Sequence, residues 1–283
     1  MFTLFSLSVV LIRKLLATVL VSLILGTIAS SMAATEVVVT GSTTVGPLGI
    51  VCAEEFNKAQ GDYHVSVSQT GTGAGVTSIA EGNSDIAMAS REITPDEKAK
   101  YEDKFQENLI GYDGIAICVS NAVYNAGVTS LTKDQIKGIY SGSIKNWKEV
   151  GGPDDEIYVT SREIGSGTRD SFLEDIFGSK TVDTPGVNTY SSSNSEIKMA
   201  ITDSDKAIGY LGYSYTESDR MTPVKVDGIG INPATIKDKT YPLARKLYLD
   251  TFGEPTPSAQ AFIYYVKGPE GQQIAVDNGF IPL

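Results

Sequence analysis

The 283-residue chain exceeds an average single domain and fits either one large domain or two lobes with separate cores. Hydrophobic residues at 41%, charged residues at 20% and 28 glycines describe an ordinary globular protein, which excludes a disordered or low-complexity chain. The formal charge of −11 argues against nucleic acid as a partner, and it provides no overall field that would attract an anion.

The first element is an export leader: Arg13-Lys14 precedes the apolar run 15–28, and small residues lead to Ser31-Met32-Ala33, where cleavage is expected. The apolar run is shorter than the roughly 20 residues of a membrane-spanning helix. The chain after residue 33 is expected to be soluble and to lie outside the cytoplasmic membrane. From Glu36 short β-branched runs alternate with helical segments: strand 36–40, helix 45–59, strand 65–69, helix 75–82 and strand 86–89. Helix 45–59 puts Val45, Leu48, Cys52 and Phe56 on one face, as packing on a sheet requires. This beginning predicts a parallel α/β lobe.

A buried strand follows at 115–119, and Thr132-x-x-Gln135 reads as a capping box opening helix 133–141. Strand 157–160, helix 168–177 and a helix at 194–202, announced by Ser193-x-x-Glu196, complete a second lobe. Strand 207–211 is expected to return the chain to the first lobe, which Val224–Val226, a strand at 243–249 and helices at 258–266 and 269–278 finish. The expected division is therefore a leader over 1–33, first lobe 34–114, second lobe 115–205 and first lobe again 206–283, with two crossings. The two cysteines, Cys52 and Cys118, are read as buried thiols, although export would permit them to pair.

Three segments share one design, a short strand ending in glycine and hydroxyl residues and running directly into a helix. They are Gly41-Ser42-Thr43-Thr44, Gly71-Thr72-Gly73-Ala74-Gly75 and Gly165-Ser166-Gly167-Thr168. Free N–H groups and the positive end of the helix dipole make such a turn an anion site. Ordinary N-capping explains any one of them; three together point to a converged site. Arg91 and Arg162 lie beside these turns, and a guanidinium fork matches two oxygens of a tetrahedral oxyanion. A surface pair with Glu92 or Glu163 is the competing reading for each.

The stretches Gly41–Pro47, Gly71–Ile79, Ser90-Arg91-Glu92-Ile93-Thr94, Tyr112-Asp113-Gly114 and Arg162–Arg169 together resemble the phosphate-binding proteins of phosphate ABC importers. The resemblance runs in order through nearly all of the chain after residue 33. It implies a two-lobed α/β fold like that of periplasmic binding proteins, each lobe a central sheet flanked by helices. It also implies a monomer that captures inorganic phosphate without cofactor or metal and hands it to the membrane permease subunits of an importer. The implied ligands are Ser42, Thr43, Thr44, Thr72, Ser90, Arg91, Arg162, Ser166, Gly167 and Thr168. One branch of the family carries an aspartate in the Ser90-Arg91 segment, where this chain has arginine, so the carboxylate that accepts the phosphate proton is assigned to Asp113. Such an acceptor would separate phosphate, which keeps a proton near neutral pH, from sulfate. The competing reading of Asp113 is a turn residue in Tyr112-Asp113-Gly114.

Enzymatic readings fit poorly. His64 is the only histidine and sits in a polar turn, and the Ser166 segment is not a nucleophile elbow. The glycine loop lacks the lysine of a P-loop, and no His or Cys cluster offers a metal site. A secreted phosphatase, a binding protein for sulfate, molybdate or tungstate, and a sensor or adhesion protein on the same fold are the competing functions.

Overall fold

The computed structural model of the protein describes residues 34–283; the expected leader over 1–33 lies outside them. The chain opens with strands β1 (Thr35–Gly41), β2 (Tyr63–Gln69) and β3 (Ile86–Ala89), interleaved with helices α1 (Gly46–Ala59) and α2 (Thr72–Ala80). All three strands are parallel, with β1 between β2 and β3. This is the predicted beginning, because right-handed crossovers through α1 and α2 are the favoured way to join parallel strands. Val45, Leu48, Cys52 and Phe56 are all buried, as the helical period requires.

A short helix α3 (Pro95–Lys100) leads into the long strand β4 (Phe105–Ser120). Helix α4 (Asn121–Asn125), strand β5 (Ser130–Leu131), α5 (Lys133–Ser141), β6 (Tyr158–Arg162), α6 (Gly167–Phe177), β7 (Thr189–Ser191), α7 (Asn194–Thr202) and β8 (Ala207–Gly212) follow. The expected Thr132–Gln135 capping box opens α5. At α7 the Ser193 side chain accepts from the Glu196 N–H, while the Glu196 carboxylate turns to Ser192 instead. The chain ends through β9 (Met221–Pro223), β10 (Lys225–Val226), α8 (Pro233–Lys237), β11 (Ala244–Phe252), α9 (Pro257–Lys267) and α10 (Pro269–Asp277).

Among the described residues, nine strands form one sheet, in the order β2-β1-β3-β11-β4-β8-β6-β7 with β9 also on β4. β4 spans the molecule. Residues 105–114 pair with β11, and residues 115–119 pair with β8. Two large cores flank this change of partner. Val37, Leu48, Phe56, Ile86, Leu247 and Phe262 pack in one, and Ile117, Trp147, Phe172, Tyr210, Val226 and Leu243 pack in the other. The fold is thus α/β and two-lobed, as expected.

One expected boundary is corrected. Strand 207–211 does not return the chain to the first lobe: β8 pairs antiparallel with the second half of β4 and parallel with β6. Val224, Val226, Tyr241 and Leu243 also belong to the second core, so the chain recrosses between Leu243 and Ala244. A strand as fully buried as β8 must be covered on both faces, and its apolar run is equally compatible with either sheet. Cys52 and Cys118 are unpaired and lie in different hydrophobic clusters, where burial pushes both thiols up to about 12.

Candidate functional site

The three glycine-rich turns converge. β1 ends at Gly41, whose φ of 130° and whose hypothetical Cβ only 2.3 Å from the Met88 carbonyl oxygen admit no side chain. The chain can therefore turn beside β3 and bring Ser42-Thr43-Thr44 to the head of α1. The Ser42 Oγ accepts from the N–H of Thr44 at 3.1 Å, and the Thr43 N–H has no acceptor among the described residues. From the other lobe, the Ser166 Oγ caps α6 by accepting from the Arg169 N–H at 3.3 Å. The N–H groups of Gly167 and Thr168 are left without acceptors among the described residues. Both serines therefore spend lone pairs on capping and keep a hydroxyl hydrogen.

Contacts between the lobes are close. The Gly73 N–H donates to the Gly165 carbonyl at 2.9 Å, and the Thr44 and Thr168 hydroxyls lie 2.9 Å apart. A Cβ on Gly167 would fall 2.4 Å from the Thr72 Oγ1 and 2.7 Å from the Ser90 Oγ, so this glycine allows the head of α6 to seat against the first lobe. A cavity of about 240 Å³ lined by Thr70, Gly71, Ala74, Arg162 and Ser166 lies between the glycine loop and the head of α6.

Arg162, at the end of β6, is 1% exposed. Its Nε donates to the Ser191 carbonyl, and its Nη2 donates to the Ser192 carbonyl at 2.7 Å and the Thr43 Oγ1 at 3.2 Å. Its Nη1 is buried with no partner among the described residues. Burial pulls the guanidinium down to about 10, with the neighbouring Arg245 adding to the effect. The competing pair with Glu163 does not form, since Glu163 is exposed and no ion pair joins the two.

Two other residues expected to bind the ligand have different work here. Arg91 is buried, but it holds Glu97 through both Nη atoms at 2.8 Å and Asp170, on α6 of the other lobe, through Nε at 2.8 Å. The Glu97 that takes this fork also closes the capping box with Thr94 at the head of α3. Asp113 accepts from the Nε and Nη2 of Arg245 at 3.0 and 2.7 Å through one oxygen, and from the Tyr213 N–H at 3.0 Å through the other.

Sequence reasoning missed Arg245 and Asn194. Arg245 faces Asp113 across the β4–β11 pairing, directly beside the crossing between lobes, and donates to the Thr168 Oγ1 at 2.9 Å and the Thr44 Oγ1 at 3.3 Å. Asn194, the first residue of α7, is fully buried and donates to the Thr43 and Thr44 hydroxyls. Neither position carries a local signal. The pairing of β4 with β11 brings Asp113 and Arg245 together from 132 residues apart.

Two lobes joined by adjacent strand crossings, with helix heads opposed between them and a buried arginine short of an anionic partner among the described residues, are the architecture of a solute-binding protein. Residues 27–270 match the family model described as the PBP superfamily domain. The chain belongs to the family of phosphate-binding proteins. It is 31% identical over 247 residues to the phosphate-binding protein PstS of Bacillus subtilis, covering 87% of this chain and 80% of that one. It is 34% identical over 259 residues to PstS of Staphylococcus saprophyticus, covering 86% and 79%. A phosphate ABC transporter substrate-binding protein from Clostridium perfringens, solved with bound phosphate, superposes with a TM-score of 0.81 at 37% identity, covering 88% of this chain and all of that one. An ABC-type phosphate transport receptor from Vibrio cholerae gives a TM-score of 0.73 at 30% identity, covering 87% of this chain.

Proposed function

We propose that the protein captures inorganic phosphate outside the cytoplasmic membrane and delivers it to the permease of an ABC importer, without chemistry on the ligand. The observation that carries this reading is Arg162: a buried guanidinium whose Nη1 has no partner among the described residues, beside helix heads where the N–H groups of Thr43, Gly167 and Thr168 have no acceptor among them either. Burying a charge without a counter-charge is costly, and a bound oxyanion supplies the counter-charge. The ligand shell would be Ser42, Thr43, Thr72, Ser90, Arg162, Ser166, Gly167 and Thr168, with Thr44, expected among the ligands, standing behind them because its N–H goes to the Ser42 Oγ and its hydroxyl to Thr168. Arg245 joins it through the two threonines it touches. Asp113 serves by fixing Arg245, and Arg91 serves by tying α6 to the first lobe.

The names and bound ligand of the relatives support phosphate over sulfate, molybdate or tungstate. No helix among the described residues is long and apolar enough to cross a membrane, which accords with a leader over 1–33 that is removed on export. We assign the lobes as 35–114 with 244–283, and 115–243, acting as a monomer. Calorimetric titration of the purified protein with phosphate, sulfate and molybdate, beside a phosphatase assay, tests the reading. It predicts one saturable phosphate site and no hydrolysis. Phosphate binding no tighter than sulfate, or turnover of a phosphate ester, would overturn it.

A further inference from the structure

The hydroxyl groups in the cleft have a fixed polarity, which follows from counting their donors. A threonine hydroxyl offers two lone pairs and one hydrogen, whereas an arginine or an amide NH2 only donates. The orientation of Asn194 is set by the main chain: the Gly212 N–H donates to its Oδ1 at 3.1 Å. Its Nδ2 is therefore the atom that faces Thr43 Oγ1 at 3.1 Å and Thr44 Oγ1 at 3.0 Å.

Thr43 Oγ1 also receives the Nη2 of Arg162 at 3.2 Å, so both of its lone pairs are taken. Thr44 Oγ1 receives Asn194 and, at 3.3 Å, the Nη2 of Arg245, so its hydrogen must go to Thr168 Oγ1 at 2.9 Å. Thr168 Oγ1 then holds that hydrogen and the Nη1 of Arg245 at 2.9 Å, and its lone pairs are also filled. Thr43 and Thr168 each keep one hydrogen with no acceptor among the described residues. One stands at the head of α1 and the other in the first turn of α6, on opposite lobes.

The geometry points to Asn194 and Arg245 as positioning residues that set the hydroxyls of Thr43 and Thr168 as obligate donors toward the anion, one from each lobe. The inference rests on the phosphate reading and deepens it. A hydroxyl able only to donate bonds an unprotonated, charged oxygen more strongly than a protonated one and cannot accept the proton of the latter, so these two threonines favour the bare oxygens of phosphate. Asn194 does this without touching the ligand. A merely structural Asn194, holding the Gly212 N–H, would lower stability and affinity in proportion, whatever its neighbours.

The two roles separate in a double-mutant cycle read by phosphate titration and by melting of the ligand-free protein. Asn194→Ala should weaken phosphate binding roughly 10-fold, because two hydroxyls regain free lone pairs and no longer hold their hydrogens toward the anion. In the Thr43→Val/Thr44→Val background the same change should weaken binding less than about 2-fold, while its effect on melting stays the same. Asn194→Asp keeps the Gly212 bond but presents an acceptor to both threonines. Its added charge repels the anion by itself, so it is read in both backgrounds: its loss relative to Asn194→Ala should shrink once Thr43 and Thr44 are valine and the charge alone remains. Equal losses in both backgrounds, or an affinity order that follows stability, would overturn the inference. A wild-type protein that binds no phosphate would instead bring down the functional reading, and this one with it.

Discussion

Replacing Arg162 by methionine should change stability and binding in opposite directions. Arg162 is 1% exposed, carries no carboxylate partner, and is drawn from 12.5 to about 10 chiefly by burial. That displacement corresponds to on the order of 3 kcal/mol disfavouring the charged form in the folded, ligand-free protein. A base whose folded pKa lies below its unfolded value destabilises fully at pH below the folded pKa, and the penalty fades only as pH rises from about 10 toward 12.5. At neutral pH the whole penalty is present. Methionine removes the charge and keeps most of the volume, but it gives up the bonds to the Ser191 and Ser192 carbonyls, of which the first keeps the Glu163 N–H and the second belongs to an exposed residue. Losing those bonds returns about 1–2 kcal/mol of the gain. The net expectation is a ligand-free melting temperature about 2–4 °C higher, given roughly 1 kcal/mol in a chain of this size. Phosphate should bind about 10- to 150-fold more weakly, from the loss of charge-assisted bonds worth about 1.5–3 kcal/mol. Scanning calorimetry with and without phosphate reads both effects. A variant that melts earlier without ligand and keeps the wild-type shift with phosphate would show that Arg162 is neither an unpaired buried charge nor a ligand of the anion.

Asp170→Asn removes the carboxylate that Arg91 holds across the cleft, so phosphate should leave about 10-fold faster in stopped-flow release while the on-rate changes little; an unchanged off-rate would show that the pair does not hold the closed form. Asp113→Asn strips Arg245 of the one carboxylate it pairs with among the described residues, and it should cost about 3–5 kcal/mol of stability in denaturant unfolding without admitting sulfate. A stable variant that gains sulfate binding would instead make Asp113 the proton acceptor. Asp250 is fully buried with no well-formed hydrogen bond to either oxygen among the described residues, and burial, helped by Glu107, holds its carboxyl well above the usual range against the opposing pull of Arg91 and the nearby Asn108 N–H. An acid with a raised folded pKa costs stability as pH climbs above its unfolded value, so Asp250→Asn should raise the melting temperature at neutral pH and lose that advantage near about pH 4. An unchanged or lower melting temperature at pH 7 would show that the carboxyl is compensated.

Local signals in the chain make most of the elements legible. The period-2 and period-3.6 patterns mark β1 through β3 and both C-terminal helices, and Thr132-x-x-Gln135 places α5 to the residue. The first half of β4 carries Gln106, Glu107 and Asn108, polar residues that hide a strand exposed on one face, so only its buried second half, Ile115–Val119, is readable. Thr94-x-x-Glu97 is a further capping box, and it holds the partner that diverts Arg91 from the ligand; reading Arg91 against Glu92 alone overlooks it. Motifs at helix heads announce the hydroxyl shell, because a glycine-hydroxyl turn is a local design. Arg245 and Asn194 act through register and tertiary placement: one sits mid-sheet opposite Asp113, the other under the heads of two helices from another lobe. Nothing within a few residues of either position encodes that.

If the two lobes form one closed anion site around Arg162, a crystal structure of the protein grown with phosphate will show the ligand there. Tetrahedral density within hydrogen-bond reach of the Arg162 Nη1, the Thr43 and Thr168 hydroxyls and the free N–H groups at the head of α6 is the predicted result. Phosphate bound elsewhere, with the Nη1 of Arg162 still unpartnered, would contradict it.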